Sequence, residues 1–133
     1  MFTQIRTSKE NKEIVTQLSR ALGLGTENVI ARIALTYSLS KDRKLNLNDI
    51  NNSTGKEYSK SVLFGEYYDY YLGLICVHYN LYKTDKDIPK YIKMHIDDGL
   101  ILLNEEVNNH SNIDGFDFLS RKIIIGLDNL IND

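Results

Sequence analysis

Nine of the ten Lys and Arg side chains in the first sixty positions of this 133-residue chain are candidates for holding an anion: Arg6, Lys9, Lys12, Arg20, Lys41, Arg43, Lys44, Lys56 and Lys60. Guanidinium and ammonium groups at this density can pair with phosphate oxygens. The stretch "KDRKLNLNDINNSTGKEYSK" carries five of them, with Asn and Ser able to add hydrogen bonds to a backbone phosphate. Tyr58, in the same stretch, offers a ring on which an exposed base can stack. The segment "LGLGTENVIARIALTYSL" adds a helix N-terminus after a glycine turn, and free amides at the positive end of a helix dipole favour an anion. Each feature also has a plainer reading: a helical hairpin with solvated charges, followed by an exposed polar loop. On pattern alone the plainer reading is preferred.

Bond-making chemistry finds less support. Cys76, His78 and His95 are metal-ligand types, but Cys76 and His78 lie two apart on an expected helix and point in different directions. The carboxylate pairs Asp97/Asp98 and Glu105/Glu106 are adjacent, so neither pair converges on one point, and both read as a wet helix face. The chain contains no GxxxxGK[ST], GxGxxG or GxSxG motif. The expectation is a protein that is not an enzyme and that holds neither cofactor nor metal.

The elements that must position the cations follow from periodicity. "FTQIRTS" favours a short strand. Ser8 is placed to cap a first helix whose apolar residues are Ile14, Val15, Leu18, Ala21 and Leu22, and Gly23 and Gly25 end it. Thr26 caps a second helix with a stripe of Val29, Ile30, Ile33, Ala34 and Tyr37, while Arg32 lies off its centre, able to reach solvent or a phosphate. A strand followed by two helices resembles the ribbon-helix-helix DNA readers. Residues 39–61 read as a long polar loop with a short helical turn. A third helix from Glu66 to Tyr82, apolar nearly all round, is expected to be central or shared between subunits. Asp87 and Pro89 open a fourth, with Ile88, Ile92, Ile96, Leu100, Leu103 and Val107 on one face, and "FDFLSRKIIIGLDNLI" forms a C-terminal helix despite Gly126. The fold class is therefore mainly α: one compact domain over residues 1–133, with four to five helices and a short N-terminal strand.

Composition agrees with a folded domain, at 42% hydrophobic and 26% charged residues. Nine Tyr and no Trp suit interfaces and core edges. One cysteine excludes an intrachain disulfide. The N-terminus lacks a signal pattern and no apolar run reaches membrane-spanning length, so a cytoplasmic setting without membrane contact is expected. The net charge of −2 hides an asymmetry: residues 1–60 hold ten Lys/Arg against six Asp/Glu, residues 61–133 six against twelve. Whole-chain charge is therefore a poor guide to any one surface.

Three segments in order, "LGLGTENVIARIALTYSL", "GKEYSKSVLFGEY" and "YIKMHIDDGLILL", resemble the DndE family of DNA sulfur-modification proteins. The shared positions are Asn28, Val29, Arg32, Ala34, Leu35, Ser38 and Leu39, then Gly55, Glu57, Tyr58, Leu63, Phe64, Gly65 and Glu66, then His95, Gly99 and Leu103. The match spans about residues 5–107 and leaves 108–133 as a C-terminal extension. The resemblance implies a small helical homotetramer that binds the backbone of nicked duplex DNA. It would serve machinery that replaces a non-bridging phosphate oxygen with sulfur, whose other members supply a cysteine desulfurase, an iron–sulfur sulfurtransferase and an ATPase. It also implies a structural role for Arg32, paired with Glu57 or Glu66. The nine cations above are the candidate DNA contacts. Two other readings remain open: a ribbon-helix-helix repressor reading bases through Thr3 and Ile5, and a protein-only adaptor docking the ATPase or sulfurtransferase through the acidic half.

Overall fold

A computed structural model describes residues 2–109 and 114–132. The element order is β1 (Gln4–Arg6), α1 (Lys9–Leu22), α2 (Glu27–Ser40), a 3-10 turn (Leu47–Asp49), β2 (Glu57–Ser59), α3 (Lys60–Phe64), a 3-10 turn (Gly65–Tyr67), α4 (Tyr68–Tyr79), α5 (Ile88–Asn108) and α6 (Gly115–Asn132). The chain is mainly helical, as its periodicity predicts, and its N-terminal strand joins a second in one small sheet.

The scaffold is the α2–α5 pair. Ile30, Ala31, Ala34 and Leu35 of α2 meet Ile92, Ile96, Leu100 and Leu103 of α5 in one apolar core, joined by Val15, Leu18 and Leu22 of α1. The crossing is close because its contact residues are small. A Cβ on Gly99 would lie 1.9 Å from the Ala34 carbonyl oxygen. The buried face of α2 is rotated by about one residue from the predicted stripe. Ala31, Leu35 and Ser38 turn inward, while Val29, Ile33 and Tyr37 are half-buried. Tyr37 keeps to the edge because its hydroxyl donates to Glu106 Oε1 at 2.5 Å. On α1 the core takes Asn11, and Ala21 is exposed. On α5 the predicted face is found as expected, with Val107 partly buried at its end.

β1 and β2 pair antiparallel, Gln4 with Ser59, Ile5 with Tyr58 and Arg6 with Glu57. Thr7 N–H to Lys56 O, Gly55 N–H to Thr7 O and Lys60 N–H to Thr3 O extend the ladder at both ends. Gly55 is required here, since a Cβ would sit 2.1 Å from the Ser8 carbonyl oxygen. Part of the segment expected to be loop is therefore strand β2 and helix α3, the latter capped by Ser59 Oγ accepting from the Val62 amide. The apolar helix expected over 66–82 is shorter, and it is not central: of α4 only Ile75 is buried. The side chains of Ser8, Thr26 and Asp87 occupy N-cap positions without making cap hydrogen bonds. The Ser8 amide instead donates to Asp97 Oδ1 at 3.1 Å.

α6 runs through Gly126 and begins against the end of α1, where a Cβ on Gly115 would lie 1.7 Å from the Leu22 carbonyl oxygen. Phe118 enters the core, and Lys122 pairs with Glu106 at 2.6 Å.

Two glycine replacements have opposite expected effects. Gly99→Ala forces α2 and α5 apart and lowers stability by about 3 kcal/mol or more in denaturant unfolding. Gly126→Ala meets nothing within 4 Å and raises it by up to about 1 kcal/mol through helix propensity. Equal effects at the two positions would contradict the close crossing.

Candidate nucleic-acid interface

Eight of the nine cations fall in two groups, and Arg20 belongs to neither. The first surrounds the two-stranded ribbon. Tyr58 and Ile5 turn inward, so Gln4, Arg6, Glu57 and Ser59 form its exposed face. Arg6 pairs across the strands with Glu57 at 2.9 Å, both about half exposed. Lys56 leaves the same backbone and reaches Glu27 at 2.8 Å. Lys60 lies 4.2 Å over the Tyr68 ring and 5.6 Å over Phe2, a cation–π seat that directs its ammonium. Lys9 joins them through backbone, because its amide donates to Asn52 Oδ1 at 2.9 Å. Lys12 follows one turn later on α1. Lys9, Lys12 and Lys44 are exposed, with no carboxylate at ion-pair distance among the described residues. Arg20 stands apart at the far end of α1, where its charge helps hold the Glu27 carboxyl below its ordinary range, after the larger effect of Lys56.

The second group, Lys41, Arg43 and Lys44, sits on the connection that leaves α2. Lys41 lies 4.6 Å over the Tyr37 ring. Arg43 pairs with Asp98 at 2.7 Å, and its carbonyl accepts from His78 Nε2 at 2.5 Å. The two groups are tied to consecutive residues of α5. Asp97 accepts from the Ser8 amide and from Asn11 Nδ2 at 2.7 Å, and Asp98 holds Arg43.

Beneath the second group lies a polar chain, buried at Ser38 and His95 and partly exposed at its ends, that the sequence pattern does not reveal. The Leu45 amide donates to the Tyr79 hydroxyl at 2.9 Å. Tyr79 OH lies 2.5 Å from His95 Nε2, Ser38 Oγ 2.8 Å from His95 Nδ1, and Ser38 donates to Asp98 Oδ2 at 2.6 Å. One proton assignment satisfies every member. The Asp98 carboxylate only accepts, so it takes the single Ser38 proton. Ser38 must then accept from Nδ1–H, and Nε2 accepts from Tyr79. Burial, reinforced by His78, lowers the His95 pKa to about 4, which keeps the ring neutral. Burial likewise raises the Tyr79 phenol, so it remains a donor. Ser, His and Asp here are not arranged as a nucleophilic triad, in which serine donates to histidine and histidine to the carboxylate. The hydroxyl donates away from the ring and is buried.

Several expectations are corrected. Asp97 is buried rather than wet, and pairs with buried Lys93 at 2.6 Å. Tyr58 is buried and cannot stack on a base, because the register turns it into the core beside Ile5. Arg32 pairs with neither Glu57 nor Glu66; its Nη1 donates to the Leu63 carbonyl at 2.8 Å. Ile5 is buried and β1 is paired within the chain, which argues against a ribbon that reads bases through Ile5. The one signal for the buried polar chain is a histidine inside an apolar helical face, flanked by Ile92, Ile96 and Gly99.

The family model of DNA sulphur modification protein DndE matches residues 4–111. The chain belongs to the DndE family. A crystal structure of DndE from Escherichia coli B7A, described as involved in DNA phosphorothioation modification, superposes with TM-score 0.63 at 19% identity, covering 77% of this chain and 98% of that one. No curated protein matches the sequence. Helix α6 lies outside the DndE match. Among the DndE-like motif positions, Ser38 and His95 form the buried chain, Arg32 ties α2 to α3, and Gly99 permits the crossing. Those positions build the frame, while the cations lie on segments the frame presents. No helix among the described residues is long and apolar enough to cross a membrane.

His95 makes stability depend on pH. Its folded value of about 4 lies below the ordinary 6.5, so the unfolded chain binds a proton that the fold refuses. Its contribution is complete above pH 6.5 and is lost as pH falls towards 4, a total on the order of 3 kcal/mol. The lowered carboxyls of Glu27 and Glu106 add losses only below their ordinary 4.5. Denaturant unfolding from pH 6.5 to 4.5 should therefore show a slope that His95→Gln removes. A flat wild-type profile across that window would disprove the assignment.

Proposed function

We propose that this chain is a non-enzymatic DNA-binding subunit of the phosphorothioation machinery that holds nicked duplex by its sugar–phosphate backbone. The observation that carries the reading is the gathering of Arg6, Lys9, Lys56 and Lys60 around one exposed ribbon and the first turn of α1, in a member of a DNA sulphur modification family. Lys12 extends this group along α1, Arg43 and Lys44 add a second contact region with Lys41 beside it, and Arg20 lies near Glu27, the partner of Lys56. The half-exposed pairs Arg6–Glu57, Lys56–Glu27 and Arg43–Asp98 are each weak in water, so a phosphate can take the cation in exchange. Sulfur insertion requires an accessible backbone phosphate, and a subunit that holds the flexible nick presents one. The chemistry then belongs to ATPase and sulfurtransferase partners. The non-enzymatic reading rests on the orientation of the Ser38–His95–Asp98 chain, which leaves no activated hydroxyl.

The working form in this reading is a homotetramer. Its support is the face of α4, where Tyr70 is 75% and Val77 85% exposed beside Tyr67 and Leu74. Apolar residues in such a row mark an association surface.

Affinity for nicked duplex should exceed that for intact duplex and fall steeply with salt. Replacing Lys9 and Lys12 together by Ala should reduce the slope of log affinity against log salt by about 2, at about 0.9 for each phosphate that is no longer neutralised. Lys83→Ala, in the acidic half, should leave it unchanged. Fluorescence anisotropy across salt decides this, and equal or absent binding to nicked and intact DNA would defeat the proposal. For the assembly, Val77→Glu should reduce the sedimenting mass while leaving the helical signal intact. A wild-type monomer at micromolar concentration would remove the tetramer.

A further inference from the structure

The connection from α2 to the first 3-10 turn carries three cations, yet it has little core of its own; Lys41, Asp42, Arg43 and Lys44 are all exposed. Asp42 sits at φ 56, a left-handed conformation uncommon for non-glycine residues but one that Asp tolerates better than most. The tethers come from α4 and α5. His78 Nε2 donates to the Arg43 carbonyl, Asp98 receives the Arg43 guanidinium, and the Leu45 amide donates to the Tyr79 hydroxyl. Tyr79 itself is fixed from two sides. Its ring stacks on Tyr91 with centroids 3.9 Å apart, and its proton goes to His95 Nε2.

We infer that Tyr79 is a positioning residue whose hydroxyl, oriented by His95, fixes the cationic 41–45 connection in the shape that meets phosphate. The benefit to binding rests on the DNA-binding reading above; the ordering of the connection does not. A flexible cationic loop loses conformational freedom when it closes on a ligand, and one already tethered loses less. The tether enters at Leu45, one residue beyond Lys44, so it limits the reach of both Arg43 and Lys44 without occupying either charge. The acceptor at His95 Nε2 is available because Nδ1 is committed to Ser38. The chain of donors from Leu45 to Asp98 therefore behaves as one unit.

Tyr79→Phe in the full chain keeps the stacked ring and deletes only the hydroxyl. Amide hydrogen exchange at Leu45 should accelerate at least about tenfold in the variant, since its acceptor is gone. Unchanged exchange at Leu45 would overturn the inference. Affinity for nicked duplex should fall severalfold with the salt slope retained, because no charge is removed, whereas Lys44→Ala should reduce the slope. Faster exchange with unchanged affinity would also overturn the claimed link between loop order and binding. Failure of the wild type to bind DNA would defeat the function proposed above, while the exchange result would still decide whether Tyr79 orders the connection. A variant-free measurement guards against misfolding. Nitrogen-15 NMR of the wild type at neutral pH should find the His95 proton on Nδ1, and a proton on Nε2 would overturn the donor chain.

Discussion

Two consecutive aspartates on α5 hold the two cationic segments to the core. Neighbouring residues on a helix point about 100° apart, so Asp97 and Asp98 reach different parts of the chain from one backbone. Asp97 turns inward, receiving the Ser8 amide, Asn11 and the Lys93 ammonium. Asp98 turns sideways to Ser38 and Arg43. A buried carboxylate is costly unless its oxygens are occupied, and removing one partner of a buried pair costs about 3–5 kcal/mol. The start of α1 is thus fixed where it is because buried Asp97 needs it there, and the end of α2 is held to Asp98 through Ser38. The acidic back half of the sequence is in part an anchor for its basic front half.

That arrangement reconciles a net charge of −2 with the proposed phosphate-binding surface. Asp97 is neutralised by Lys93 inside the protein and contributes little field outside. Glu57, Glu27 and Asp98 neutralise cations only through partly exposed pairs. Such pairs are worth about 0–1 kcal/mol in water, so they hold their cations only weakly. Lys9, Lys12 and Lys44 stand outside these pairs.

Helices are legible in the sequence wherever one face alone is apolar. α1 and α5 can be read because packing on one side imposes a 3.6-residue period. β2 and α3 are hidden within a segment rich in Asn, Lys and Ser, where three-residue strands leave no period to detect. Tyr58 misleads for a related reason. Its burial is set by pairing with Ile5, far away in sequence, and no local pattern carries that information. Arg32 is off-centre as its spacing implies, but its partner is a backbone carbonyl, which a search for opposite charges cannot find. The candidate cations are legible as a set. Their division into two groups depends on tertiary contacts to α5, and is not.

The polar chain of Tyr79, His95, Ser38 and Asp98 contains residue types that elsewhere transfer protons and attack esters, and direction separates the two uses. Each proton in the chain is already donated, and the last acceptor, Asp98, is also held by a guanidinium. A hydroxyl becomes nucleophilic when a base draws on its proton and its oxygen faces substrate. Ser38 has its proton on a carboxylate, a ring N–H directed at its oxygen, and almost no exposure to solvent. A fully satisfied network of this kind confers rigidity and a single geometry. In a protein whose exposed cations sit on a short connection and a two-stranded ribbon, rigidity is the property that the proposed phosphate recognition draws upon.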